Sequence, residues 1–201
     1  MKLLFQGAEA KLYKAGGVLV KDRIKKAYRL DVLDEKLRKR RTRLEISLLQ
    51  AAGRCGVDVP RVISASDTIV EMEFIDGKIV KDVVNEQNAK HLAEMIGTSI
   101  ARLHEYNIIH GDITTSNMIL HNDKVYFIDF GLGFQSSKPE DKATDLYLLH
   151  NAIEAAHWQM LEKTWKIILN AYKTGYKDAD KVIKTLVQIE KRGRYKNRSC
   201  E

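Results

Sequence analysis

Residues 108–131, IIHGDITTSNMILHNDKVYFIDFG, constrain this chain more than any other stretch. Asp112 is followed five positions later by Asn117, and a polar turn at His121-Asn122-Asp123 then separates two apolar runs, 118–120 and 125–128. Asp129-Phe130-Gly131 closes the stretch. Two short apolar runs about a polar turn read as a hairpin. Its closure brings Asn117 and Asp129 to one end, so two oxygen-bearing side chains converge there with Asp112 one loop away.

A magnesium ion keeps several waters and takes only one or two protein carboxylates beside phosphate oxygens, so Asp129 with the Asn117 side-chain oxygen is a sufficient pair of metal ligands. Asp112 stays off the metal, free to orient a hydroxyl or water and take its proton. The order HxD, N, DFG is the protein-kinase template for phosphoryl transfer. HGD alone is a turn and DFG alone a hairpin end, so the specificity lies in their joint spacing.

With 201 residues the chain can bury one sizeable core, or a small and a larger lobe sharing a cleft. No stretch approaches the ~20 apolar residues of a membrane span. The opening MKLLFQGAEAK is too short for a signal peptide, so a soluble, cytoplasmic protein with no membrane partner is expected. Cys55 and Cys200 lack metal spacing and read as reduced thiols, the first buried and the second in the tail. The net charge of +7 is uneven: residues 21–43 carry a local +7 and residues 191–201 a local +4, leaving the rest at −4. Two basic patches on a mildly acidic body suggest an anionic partner, against the blander reading of solvated helix faces.

Taken in order, 2–6, 11–14 and 18–23 have strand composition, with Gly16-Gly17 as a hairpin signal. The turn Gly7-Ala8-Glu9-Ala10 lies where a nucleotide-covering loop would, but it has one glycine where the kinase loop has three. Lys21 ends the third strand, the place of a phosphate-binding lysine. Asp31 reads as the N-cap of a helix running to about Ala52 with a Gly53 stop, and Leu33, Leu37, Leu44 and Leu48 share one face. Glu45 falls at the edge of that stripe and calls for a cation. Two compete: Arg41 one turn back, and Lys21 across the lobe, which is favoured because the pair would fix the lysine against phosphates.

Strands at 61–65 and 68–74 follow, and Ile75-Asp76-Gly77 breaks the pattern where a sheet lobe hands over to a helical one. Met72 is placed at the back of a pocket, and the backbone of Glu73, Phe74 and Ile75 is placed to hydrogen-bond an adenine. Helices are expected at 85–106, 141–156, 158–172 and 179–190, with apolar stripes that read as ordinary core. His91, His104, His121, His150 and His157 have no ligand spacing. The basic tail 191–198 leaves the last helix, and its arginines and Tyr195 suit RNA contact. The expected architecture is α+β and two-lobed, kinase-like: an antiparallel β lobe with one helix (1–74), a mainly helical lobe (75–190) with a minimal activation segment, and a basic tail (191–201).

Over nearly its full length the chain resembles the small atypical kinase subunit of the KEOPS complex, the PRPK-type kinases. The marks are GAEA at 7–10, VKDRIKKAYR at 20–29, RTRLE ending at Glu45, HGDITTSNMI at 110–119, DFG at 129–131, DKATDLY at 141–147 and RGR at 192–194. The resemblance implies a protein that binds ATP and Mg2+, autophosphorylates on Ser/Thr and acts largely as an ATPase. It also implies a KEOPS threonylcarbamoyltransferase partner, a small regulatory subunit on the N-lobe, and tRNA modified with threonylcarbamoyladenosine. Carried over by position, Lys21 would hold the α and β phosphates, Glu45 would pair with it, Asp112 would be the base or water-positioning group, and Asn117 and Asp129 would hold magnesium.

Two departures from ordinary protein kinases stand out. Gly111 replaces the arginine that captures a phosphorylated activation loop, so switching by loop phosphorylation is not expected. Thr114 replaces a phosphate-neutralising lysine, so transfer to a protein hydroxyl is expected to be slow. The alternatives are a small-molecule phosphotransferase of the aminoglycoside-kinase kind and an ATP-sensing scaffold with incidental turnover.

Overall fold

A computed structural model describes residues 1–197, with side chains through residue 192. Three strands open the chain, β1 (Lys2–Gln6), β2 (Ala10–Ala15) and β3 (Val18–Arg23), the last two joined by Gly16-Gly17. With β4 (Val62–Ala65) and β5 (Ile69–Glu73) they form one antiparallel sheet in the order β1-β2-β3-β5-β4. The central strand β3 faces Lys21 to Val70 and Leu19 to Met72 across the ladder. This register places the lysine and the pocket-back methionine on neighbouring strands.

Helix α1 (Asp31–Arg54) packs beside the sheet, and it departs from the sequence expectation in three ways. Leu30 rather than Asp31 is the N-cap, without a side-chain cap hydrogen bond, and the helix runs past Gly53 to Arg54. Leu33 is exposed and Leu37 only half-buried, whereas Asp34, Thr42 and Glu45 are buried. The reason is local. Asp34 turns inward to accept from the Lys26 backbone N–H at 3.1 Å and Arg38 Nε at 2.6 Å, tying down the connector that precedes the helix. Only the second half of α1 is apolar inward, through Leu48, Leu49 and Ala52.

Below the sheet the hand-over is less abrupt than the residue pattern implies. Strand β6 (Lys78–Ile79) pairs with β8 (Met118–His121), which pairs with β9 (Lys124–Phe127). A single-turn helix α2 (Val80–Val83) follows β6. Helix α3 (Ala89–Glu105) begins four residues later than expected, because the Asn85 side chain accepts the Gln87 and Asn88 N–H groups at 3.0 and 3.2 Å. Such local bonds compete with helix. Its expected buried face, Leu92, Ile96, Ile100 and Leu103, is the one observed.

Strand β7 (Ile108–Ile109) pairs antiparallel with β10 (Phe134–Gln135), so the segment after Gly131 returns at once and α4 (Pro139–His157) starts with proline in its first turn. Helices α5 (Leu161–Gly175) and α6 (Ala179–Asn197) complete the fold. Helix α6 does not end at Glu190 but continues to Asn197, so the first part of the basic tail is helical. Arg198 and Cys200 lie outside the described residues, and Cys55 is half-buried, its thiol pushed up by burial despite Arg54. One core runs through both halves, joining Val70 and Met72 of the sheet and Leu48 of α1 to Ile108, Phe127 and Phe130 below. Each buried side chain of this size contributes about 1.5–3 kcal/mol. No helix among the described residues is long and apolar enough to cross a membrane.

Two histidines, His104 and His110, lie fully buried inside this core. Burial pushes His104 and His110 below the ordinary imidazole value, with Asp145 pulling the other way. Burial thus favours the neutral rings in the folded chain, and below about pH 6.5 the unfolded chain binds more protons. The stability they contribute is complete above that pH and is lost as pH falls toward their folded values. The unfolding free energy from urea titration should therefore fall as pH drops below about 6.5, by at most about 1.4 kcal/mol per pH unit for each ring, with a shallower slope in His104→Gln.

Candidate active site

The β8–β9 hairpin has the register Met118 to Phe127, and the Ile128 N–H donates to the Asn117 carbonyl at 3.0 Å. The two ends of the hairpin are therefore bound together, which places Asn117 and Asp129 side by side. Asn117 closes a single 3-10 turn (Thr115–Asn117), and its Nδ2 donates to the Asp112 carbonyl at 2.8 Å and to Asp112 Oδ2 at 3.0 Å. Its Oδ1 has no hydrogen-bond partner among the described residues. The amide is thus oriented by Asp112 with its oxygen as the free end.

Asp129 adopts a left-handed backbone, φ 63°, which for a side-chain-bearing residue costs about 1–2 kcal/mol. What holds it there is a set of polar contacts. Its Oδ1 accepts from Lys21 Nζ at 2.7 Å and from the Gly131 N–H at 3.3 Å. Burial opposes ionisation, but the Lys21 ammonium outweighs it and holds the carboxyl below the usual carboxylate range. A strained, ionised aspartate is characteristic of functional positions.

Lys21 also donates to Glu45 Oε1 at 2.7 Å, and Glu45 Oε2 accepts from Arg23 Nη2 at 2.5 Å. Glu45 is 0% exposed, at the centre of the inward face of α1 rather than at its edge, and a carboxylate so placed must be paired. The rival cation Arg41 pairs instead with Glu9, at 2.6 Å. That contact ties the 7–10 turn to α1, and within the turn the Gly7 N–H donates to the Ala10 carbonyl at 3.0 Å.

These side chains surround one cleft of about 950 Å³ between the sheet and the hairpin. Gly7, Ala8, Glu9 and Ala10 form its roof, Lys21 and Glu45 its rear, Asp112, Asn117 and Asp129 its floor, and Met72, Glu73, Phe74 and Ile75 its remaining wall. In that wall the Glu73 and Phe74 N–H groups are engaged by the Arg61 and Gly17 carbonyls, both at 2.9 Å. The Ile75 N–H has no such partner among the described residues. Of the three positions expected to meet an adenine, the donor left over is Ile75.

The loop carrying Asp112 is fastened from below by a residue whose sequence context marks only ordinary core. Asp145, 1% exposed, accepts the His110 N–H at 2.7 Å and the Gly111 N–H at 2.9 Å. His110 lies beside Phe130, ring centroids 4.5 Å apart, with Nε2 3.2 Å from the Ile128 carbonyl and Nδ1 facing the Asp112 N–H at 3.4 Å. A neutral ring protonated on Nε2 satisfies both contacts. Gly111 has φ 79°, and a Cβ there would stand 2.3 Å from the Leu132 carbonyl oxygen, so no side chain fits at the position where kinases keep their arginine.

The RIO domain family matches residues 10–148. The chain is 41% identical to the KEOPS complex subunit Bud32 of Pyrococcus abyssi, over 99% of this chain and 98% of that one. The chain belongs to the Bud32 family of RIO-domain proteins. A further member of the Bud32 family, a probable serine/threonine-protein kinase BUD32 homolog of Archaeoglobus fulgidus, is 37% identical over 97% of both chains. A probable bifunctional tRNA threonylcarbamoyladenosine biosynthesis protein of Methanobrevibacter smithii is 40% identical over 96% of this chain, which spans 36% of that longer protein. Among solved structures, the Rio2 kinase–ADP/Mg2+–phosphoaspartate complex of Chaetomium thermophilum has a TM-score of 0.66 at 16% identity, covering 97% of this chain and 72% of that one. WaaP in complex with acyl carrier protein has the same TM-score at 13% identity, covering 96% and 88%. These likenesses show the kinase-like fold of this Bud32-family chain.

Two residues of the site are given no place in it by the sequence, Arg23 and Asp145, and His110 stands in the HxD motif without a role of its own. Arg23 had a signal, since i and i+2 on a strand share a face and Lys21 already pointed into the cleft. Asp145 had none beyond its place on an apolar helix stripe. Hydrogen bonds to a charged group are worth about 1.5–3 kcal/mol each. In Asp145→Ala the His110 and Gly111 amides should therefore lose about 10-fold or more of their hydrogen-exchange protection while the sheet amides keep theirs.

Proposed function

We propose that the chain is an atypical Ser/Thr protein kinase and ATPase, dependent on Mg2+ and ATP, that serves a KEOPS complex in threonylcarbamoyladenosine modification of tRNA. The observation that carries this reading is the Lys21 ammonium, 2.7 Å from both Glu45 and Asp129 at the rear of a cleft whose floor bears Asp112 and Asn117. A lysine so held is positioned for phosphate oxygens. The free Asn117 Oδ1 and the ionised Asp129 are hard oxygen donors of the number magnesium takes from protein beside phosphates and water. Bound there, magnesium would neutralise charge developing on the transferred phosphate.

The chain's own residues then divide the work. Ile75 N–H donates to the adenine edge and Met72 walls the back of that pocket. Lys21 neutralises the α and β phosphates, Glu45 keeps Lys21 extended, and the 7–10 turn covers the phosphates. Asp112, steadied by Asn117, orients the attacking oxygen and accepts its proton. The short return through β10 into α4 is compatible with water as well as a protein hydroxyl as acceptor.

The partner reading extends from the relatives. A KEOPS threonylcarbamoyltransferase subunit and a small regulatory subunit on the N-lobe are the proposed neighbours, with tRNA as the anionic partner. Two basic runs, 21–43 and 191–201, are the proposed contact surfaces for that last partner. In 21–43, nine of the eleven Lys/Arg have a carboxylate within 4.0 Å, leaving Lys36 and Arg40 without one among the described residues. The run 191–198 carries five Lys/Arg, of which Arg192 meets Glu140 at 3.3 Å.

Two measurements test these readings. Mg-dependent ATP turnover should fall about 10²–10³-fold in Asp129→Ala, and wild-type rates in that variant would remove the metal assignment. Replacing Arg192, Arg194, Lys196 and Arg198 with Gln should weaken tRNA binding and flatten its log–log salt slope by about 0.7–0.9 for each phosphate no longer neutralised. An unchanged slope would reduce this segment to solvated charge.

A further inference from the structure

The charges behind the cleft form a closed set of four. Lys21 Nζ bridges Asp129 Oδ1 and Glu45 Oε1, and Arg23 Nη2 takes the other oxygen of Glu45. Lys21 and Arg23 are two residues apart on β3, so strand geometry sends both to the same side. The Arg23 main chain is pinned at the strand end, its N–H on the Thr68 carbonyl at 3.1 Å and its own carbonyl accepting from Arg38 at 3.4 Å. The guanidinium is 5% exposed, and its Nε has no hydrogen-bond partner. Glu45 is therefore its carboxylate anchor. It also lies against Gly131, where a Cβ would stand 2.7 Å from Arg23 Nη2.

Work in this cleft requires two of the four charges to change partners: Asp129 must release Lys21 to face a metal, and Lys21 must turn toward phosphates. Glu45 cannot move with them. It is fully buried, and a buried carboxylate left with an unpaired oxygen retains whatever cation it has. We propose that Arg23 is a positioning residue, the permanent partner of Glu45, whose presence lets Lys21 exchange Asp129 for the triphosphate. Arg23 touches no substrate and acts only through Glu45 on Lys21. The inference rests on the proposed ATP site and extends it.

The test compares ligands that differ in phosphate alone. Affinities of the full-length protein for adenosine and for Mg·ATP are measured by calorimetry, and the ratio of the two reports what Lys21 contributes. In Arg23→Met the ratio should fall about 10-fold with adenosine affinity unchanged, and Arg23→Lys, which keeps a cation at Glu45, should fall between. In a Glu45→Gln background the Arg23→Met change should shrink to about 2-fold or less, because the two act as one unit. Should Arg23→Met fail to fold, Arg23→Lys and the Glu45→Gln background carry the comparison. An unaltered ratio, an equal loss for both ligands, or full additivity with Glu45→Gln would overturn the role of Arg23 and leave the nucleotide site standing. A wild-type protein indifferent to the phosphates would overturn both.

Discussion

A single buried carboxylate organises this molecule. Glu45 sits 0% exposed on the inward face of α1, and its two oxygens are taken by cations from one strand, Lys21 and Arg23. Charge in such a place is tolerated only when paired, so helix and strand are locked in register by the penalty for separating them. The consequence reaches the lower half through Lys21, which also grips Asp129 at 2.7 Å. One chain of ion pairs thus runs from α1, through the sheet, to the loop after the hairpin. The cleft is defined by what that chain leaves between.

The lower half has its own anchor of the same kind. Asp145, on α4, receives two successive backbone N–H groups of the loop that carries Asp112. Backbone donors facing a buried carboxylate fix a loop more firmly than side-chain packing would, because the charge cannot be hydrated from outside. His110 fills the space above it between Phe130 and the Ile128 carbonyl. The left-handed Gly111, with no room for a Cβ, explains why the arginine switch of larger kinases has no counterpart in this chain. In this structure Asp145 holds the loop through those two N–H groups.

Surface charge follows a different logic from the one its density suggests. The excess at 21–43 reads as a patch for an anion, yet in three dimensions Lys39 and Arg43 meet Asp67, Arg41 meets Glu9, and Arg38 meets Asp34. Their partners come from as far as 32 residues away. A run of like charge in sequence therefore says little until the folding of neighbouring segments reveals which charges are already matched.

Much of the fold was legible because its signals are local. The HGD, Asn117 and DFG spacing marks a loop and hairpin, the Gly16-Gly17 turn marks the first sheet, and the periodicity of Leu92, Ile96, Ile100 and Leu103 marks the face of α3, all properties of short segments. Lys21 and Glu45 were also named, by chemistry rather than by distance. What sequence alone could not decide was which partners meet across long separations. It placed Asp31 at the N-cap, Leu33 inward and Glu45 at the margin of α1, since the burial of Asp34 and Glu45 depends on cations delivered by another segment. It left Asp145 in the core because only packing brings α4 beneath the loop at 110–111. Local periodicity sets which elements form; the pairing of buried charges, a property of the assembled chain, decides how they face one another.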